Sequence, residues 1–255
     1  MRTLTLAITA SAASALLVGC GASTPRTEPH ADAPHRAAPL ALPQHRPTHV
    51  TCSDLRPSPA RAYAAVVLRP TTIRGSTRLL PRDANGYRTV LGVLGARVGP
   101  RCRPLLLRVQ LPGPPNGRAG WIEPAAVRVY PVADRIVVDL SSRTLVAYHG
   151  RRPRLRARAA VGTPQTPTPV GSYIVNERWL LDNPNGAFGI AALGISAHSD
   201  VLHYWLQGGP IALHGTNEPW TIGRTASHGC IRLLNADMRR LLPLAPAGTP
   251  VLIKR

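Results

Sequence analysis

From residue 52 to Arg255 the chain is cut by Pro, Gly, Asn and Ser into short apolar runs, most of them too brief for a helix. Residues 63–68, 87–94, 105–111, 120–122 and 127–129 read as strands, with Asn85-Gly86 as a turn signal and residues 112–117 as a Pro/Gly loop. Beyond Arg135 the pattern is cleaner. Residues 136–140 and 144–148 form a predicted hairpin across Ser141-Ser142-Arg143, and residues 154–161, 171–176 and 250–253 follow as strands. One helix is expected after Asn235 as N-cap, with Met238, Leu241 and Leu242 on one face and Pro243 and Pro246 to end it. The expected fold is mostly β, in two parts.

Charge excludes little and suggests little. The chain carries a formal +19, and Lys254 is the only lysine among its basic residues. Ala, Pro and Arg are abundant together, which points to compositional bias, with weak affinity for anionic wall or membrane surfaces as a by-product. The densest run, from Arg151 to Arg158, alternates with Leu155 and Ala157 and fits a strand with one solvated face. No nucleic-acid motif accompanies it, so nucleic acid is not an expected partner.

The N-terminus is more specific. Arg2 precedes an apolar run from Leu4 to Val18, too short to span a bilayer but suited to a signal peptide. It closes on Leu17-Val18-Gly19-Cys20, which resembles the lipobox of bacterial lipoproteins; that resemblance implies lipidation of Cys20 after cleavage and attachment to the outer face of the membrane. Residues 21–50 hold almost no large apolar side chains and read as a disordered tether reaching on the order of 100 Å at ~3.3 Å per residue. With Cys20 assigned to lipid, three cysteines remain. Export favours a disulfide between Cys52 and Cys102, which leaves Cys230 unpaired in an oxidising compartment.

Around Cys230 lie the residues that carry chemistry: His214-Gly215-Thr216, then Ile222-Gly223-Arg224, then Ser227-His228-Gly229-Cys230-Ile231-Arg232. An ordinary thiol is only a few per cent ionised at neutral pH, and a neighbouring imidazole can take its proton. Gly229 permits a sharp turn that aims successive amides at a developing oxyanion. Acyl transfer is the chemistry implied. A buried structural cysteine is the bland alternative, and zinc held by His214, His228, Cys230 and His203 a second. The spacings fit no compact zinc site, so no metal and no cofactor is expected. These residues alone do not rank His214 over His228 as the base.

Residues 135–253 resemble the L,D-transpeptidase catalytic domain. The likeness rests on His214-Gly215, on Ser227-His228-Gly229-Cys230 with Arg232, and on Ile136-Val137-Val138-Asp139-Leu140, Gly162-Thr163-Pro164, Thr166 to Gly171 and Ala192-Leu193-Gly194-Ile195. Residues 199–209, with His203, Tyr204 and Trp205, follow no pattern of that family. The resemblance implies a β-sandwich catalytic domain over 132–255 with Cys230 as nucleophile and His214 as base, oriented through a carbonyl such as that of Gly215. His228, Gly229 and Ser227 would shape the oxyanion loop. Arg232 would hold a stem-peptide carboxylate or pair with Asp237. Residues 107–127, with Gly120-Trp121-Ile122, resemble the end of a bacterial SH3-like domain, here placed over 51–131; Trp121 reads as a core or rim aromatic. The activity implied is 3→3 cross-linking of peptidoglycan tetrapeptide stems through a thioester, by a monomer facing the cell wall. A carboxypeptidase using water, or a non-catalytic wall-binding lipoprotein, is the alternative.

Overall fold

The computed structural model describes residues 56–73 and 78–255. The leader with Cys20, the tether over 21–50 and Cys52 lie outside the described residues. Among the described residues no helix is long and apolar enough to cross a membrane.

The first part of the chain builds β1 (Ala62–Val67), β2 (Thr71–Thr72), β3 (Arg78–Leu79), β4 (Val90–Val98), β5 (Pro104–Gln110), β6 (Ala119–Ile122) and β7 (Val127–Val132). Five of these form an antiparallel sheet in the order β6-β5-β4-β1-β7, and β2 pairs with β3. The strand expected from Tyr87 begins at Val90 instead. Asp83 explains the delay: its carboxylate accepts the amides of Asn85 and Tyr87, both at 2.9 Å, and holds residues 83–87 as a turn. Trp121 on the edge strand β6 lies under the Arg97 guanidinium, 4.7 Å from ring centre to Cζ.

The remainder forms β8 (Asp134–Asp139), β9 (Thr144–His149), β10 (Arg152–Arg158), β11 (Val161–Gly162), β12 (Gly171–Leu180), β13 (Ala191–His198), β14 (Pro210–His214), β15 (Thr225–Ser227), β16 (Ile231–Arg232), helix α1 (Asn235–Leu241) and β17 (Pro250–Lys254). Eight strands make one sheet in the order β10-β9-β8-β17-β12-β13-β14-β16, parallel at β8–β17 and β14–β16 and antiparallel elsewhere. The sheet curls. Leu155 and Ala157 of one edge share a core with Ile231 of the other, and Ala160 bridges to Arg232 through two backbone hydrogen bonds of 2.9 Å. Along β10, Leu155 and Ala157 are buried while Arg152, Arg154, Arg156 and Arg158 are exposed, which is the alternation of a strand with one wet face.

Strand β1 joins the two sheets because both its faces are buried. Tyr63, Ala65 and Val67 enter the core of the small sheet, whereas Ala64 and Val66 pack with Val90, Tyr130, Val132 and, from β12, Ile174. Polar groups reinforce this second contact: Tyr130 donates to the Ala247 carbonyl at 2.8 Å, and Gln110 donates to that of Ser172.

Helix α1 departs from expectation at its start. Leu234 is the cap residue and makes no side-chain capping bond; Asn235 is already the first helical residue. Its side chain is committed elsewhere, as the site below requires.

Candidate active site

Strands β14 and β16 run side by side in parallel, with Leu213 opposite Ile231 and His214 opposite Arg232. Leu213 and Ile231 are fully buried in the core. Side chains alternate along a strand, so Ala212, His214, Cys230 and Arg232 share the opposite face. That register places the conspicuous histidine and the free thiol on one face of adjacent chain segments, although sixteen residues of sequence separate them.

His214 is 4% exposed. Its Nδ1 lies 2.5 Å from the Gly215 carbonyl oxygen, so Nδ1–H donates there and Nε2 is left as the basic nitrogen. Phe188 packs against the ring with centroids 4.6 Å apart. Burial pushes the imidazole down to about 4, opposed by the Gly215 bond and aided by the Arg232 charge. Cys230 keeps partial exposure, yet its sulfur sits deep enough for burial to raise the thiol above its ordinary value. A backbone hydrogen bond at Ala212 and the charge of Arg232 act in the opposite direction. Both shifts favour the uncharged forms, a thiol beside a neutral imidazole.

The turn before Cys230 is fixed by hydroxyls. Ser227 Oγ accepts the Gly229 amide at 3.2 Å and donates to the Cys230 carbonyl at 2.6 Å. The Gly229 amide is therefore engaged by Ser227. Gly229 has φ +115, and a Cβ there would come within 2.9 Å of Ile211 Cδ1, so no other residue fits easily. From the opposite side, buried Thr168 accepts the Gly162 amide at 2.9 Å and donates to the Gly229 carbonyl at 2.8 Å. The Thr163 amide and the Thr166 hydroxyl both donate to the Ser227 carbonyl, at 3.0 and 3.1 Å.

The histidine loop has its own clamp. Asn235 Oδ1 accepts the amides of Thr216 at 3.1 Å and Ile190 at 3.3 Å, which removes that side chain from any capping role. A Cβ at Gly215 would fall 2.2 Å from the same oxygen, so glycine is required by this close approach.

Arg232 forms an ion pair with Glu218 at 2.5 Å, whereas Asp237 pairs with Arg240 at 3.4 Å. The Asp237 pairing that stood as the alternative for Arg232 is not formed; the partner is Glu218, which no sequence pattern singled out. Arg232 Nε remains buried without a partner. His228 is exposed and lies against Trp205, ring centroids 5.5 Å apart and planes tilted by 49°. Phe188, Glu218 and Trp205 went unnoticed as neighbours because each meets its partner across a distance in sequence that no local pattern records.

Of the remaining cysteines, Cys102 is disulfide-bonded, and its partner lies outside the described residues. Among the described residues no three His, Cys, Asp or Glu side chains cluster where they could share a metal ion.

The L,D-transpeptidase catalytic domain model matches residues 133–253. Two similar proteins are both named putative L,D-transpeptidase YkuD. The one from Bacillus licheniformis is 39% identical over 119 residues, covering 47% of this chain and 64% of that one. The one from Bacillus subtilis is 36% identical over 127 residues, covering 49% and 69%. Among solved structures, L,D-transpeptidase 3 from Mycobacterium tuberculosis superposes with a TM-score of 0.41 at 17% identity, over 66% of this chain and 92% of that one.

Proposed function

Because the chain belongs to the L,D-transpeptidase family, we propose that it is a cysteine acyltransferase that joins peptidoglycan stem peptides, with Cys230 as nucleophile and His214 as proton carrier. The observation that carries this reading is the shared face of β14 and β16, where the thiol and an imidazole with a free Nε2 flank a rigid glycine turn. Cys230 Sγ attacks the carbonyl of the third stem residue while its proton passes to His214 Nε2. The tetrahedral oxyanion is met by backbone amides, for which we assign His228 and Cys230, since the Gly229 amide serves Ser227. Collapse breaks the C–N bond to the terminal D-alanine, whose amine leaves with the proton held by His214. The side-chain amine of a second stem then attacks the thioester, returns a proton to sulfur through His214, and yields a 3→3 cross-link. The Arg232 guanidinium, paired with Glu218 in the free protein, is the group we assign to a stem carboxylate.

In the same reading Cys20 carries the lipid anchor, residues 21–50 span outward from the membrane, the small sheet is an SH3-like module, and Cys52 is the disulfide partner of Cys102. Incubation with purified disaccharide-tetrapeptide tests the activity. Cross-linked dimer is the expected product; trimmed tripeptide alone would make the protein a carboxypeptidase. Cys230→Ser is expected to fold and to retain no measurable turnover. His214→Ala should lose about 10²–10⁴-fold and more than His228→Ala, because only the former removes the proton carrier. The reverse ranking in single-turnover acylation would move the base to His228.

A further inference from the structure

The segment over 199–209 connects β13 to β14 and brings Trp205 against His228, two residues from Cys230. It has little apolar support of its own. Leu202 is buried, but Val201, Tyr204 and Trp205 are exposed. Internal bonds close the loop at its base: the Ser199 amide donates to the Gly209 carbonyl at 2.8 Å, and Ser199 Oγ accepts the Leu202 amide at 3.1 Å. Gln207 sits at φ 58, a left-handed conformation that a non-glycine residue holds only when its surroundings enforce it.

The small sheet adds side-chain bonds at both ends of the loop. Asn116, between β5 and β6, treats His198 as a strand neighbour would: its Oδ1 accepts the His198 amide at 2.9 Å and its Nδ2 donates to the His198 carbonyl at 2.7 Å. The same Nδ2 reaches Asp200 Oδ1 at 3.0 Å. At the far end of the loop Asn85, in the turn before β4, accepts a hydrogen bond from Gln207 Nε2 at 3.0 Å. Asn85 is itself anchored on β12, where its Nδ2 donates to both carboxylate oxygens of Glu177 at 3.1 and 3.3 Å. Two asparagines from loops about thirty residues apart thus grip the beginning and the end of one segment in the other sheet.

We propose that Asn116 and Asn85 are positioning residues for the active site: by fixing both ends of the 199–209 loop they hold Trp205 against His228 as a wall that selects the substrate reaching Cys230. The small sheet is then part of the site rather than an appendage to it. A side-chain amide suits this task because one group satisfies both a backbone donor and a backbone acceptor. The proposal rests on the reading of Cys230 as the reacting group, and its test is arranged to separate the two.

The full-length protein is compared with Asn116→Ala, Gln207→Ala, Trp205→Ala and the pair Asn116→Ala/Trp205→Ala. The first readout is the rate of labelling at Cys230 by fluorescein maleimide divided by that by iodoacetamide, measured on the Cys230 peptide. The second is KM and kcat for the disaccharide-tetrapeptide. Release of the loop is expected to raise the labelling ratio about fivefold in Asn116→Ala and to raise KM by a similar factor with kcat within about twofold. Trp205→Ala should do the same, and the pair should exceed Trp205→Ala by less than about 1.5-fold, since both changes remove one wall. Gln207→Ala removes only an exposed contact and should shift both readouts in the same direction by a smaller factor. An unchanged ratio in Asn116→Ala and Gln207→Ala, or full additivity in the pair, would overturn the proposal. Should Asn116→Ala fail to fold, Gln207→Ala decides by the same ratio. Absence of tetrapeptide turnover in the unaltered protein would count against the functional reading, while the labelling ratio would still decide the role of the asparagines.

Discussion

On one side of Cys230, residues 163–168 are tied to the 227–229 turn by threonine hydroxyls of the segment between β11 and β12. On the other, residues 199–209 are tied by Asn116 and Asn85, which belong to the small sheet. The first wall is built around Thr168, a buried residue whose hydroxyl completes two backbone hydrogen bonds at once. The second is exposed and carries aromatic side chains outward. Chemistry at the thiol depends on sub-ångström placement, and its turn is accordingly held by short internal bonds. A surface that meets different substrates tolerates looser control, and here that control is exercised from another part of the chain. Altering the small sheet can then retune one wall without disturbing the other.

The largest expected effect lies in the internal wall. Thr168→Val keeps the shape but strips the buried Gly162 amide and Gly229 carbonyl of their shared partner, at about 1–3 kcal/mol for each orphaned group. Turnover should fall about 10²-fold, because the Gly229 turn that presents Cys230 loses its tether. Variants of the 199–209 loop should instead move KM. A Thr168→Val protein with normal kcat and a raised KM would erase the distinction between the walls.

Acid pH supplies a test that both walls should pass alike. Burial holds His214 down to about 4, and among its surroundings only Arg232 contributes a charge. The acid limb of kcat/KM is therefore expected near 4 rather than near 6.5, with the same midpoint in Thr168→Val and Asn116→Ala. Stability follows the same group. Between pH 6.5 and about 4 the unfolded chain binds a proton that folded His214 refuses, so its contribution is complete above 6.5 and lost as pH falls through that window. The loss is on the order of 3 kcal/mol. An acid limb near 6.5 would show that the ring is wetter, and one that moved with either wall would couple that wall to the base.

How the two walls came to be known differs as well. The internal one was partly legible. Thr163, Thr166 and Ser227-His228-Gly229-Cys230 stand in short segments whose order is itself a signature, and the strands β8 and β9 announce themselves by apolar alternation around a polar turn. The other wall was not. Asn116 and His198 are 82 residues apart and Asn85 and Gln207 are 122 apart, and an asparagine in a turn looks the same whether or not it grips a distant loop. Asn235 is instructive in the same way: as a residue at a helix start it reads as a cap, but its oxygen is spent on Thr216 and Ile190. Local patterns disclose what local bonds decide, and these bonds are not local.

The smallest expected effect sits at the anchor of Asn85. Glu177 on β12 is raised to about 7, first by burial and then by the negative charge of Asp83, with the Asn85 bond opposing both. Tyr87, in the same turn, shares this crowding and is raised by burial and by Glu177. Folded Glu177 therefore keeps a proton between about 4.5 and 7 that the unfolded chain releases. Its contribution to stability is fully present below 4.5 and lost as pH rises through 7. Glu177→Gln fixes the side chain in its neutral form and still offers Asn85 an acceptor oxygen. The variant should melt close to the unaltered protein at pH 5 and several degrees higher at pH 8. It should leave kcat unchanged at both pH values, because Glu177 bears on the outer wall alone. If the melting difference were the same at both pH values, Glu177 would be ionised in the folded protein and Asn85 would be held by a full charge. The hold on Gln207 would then be the same at both pH values, and Gln207→Ala should cost equal selectivity at pH 5 and at pH 8.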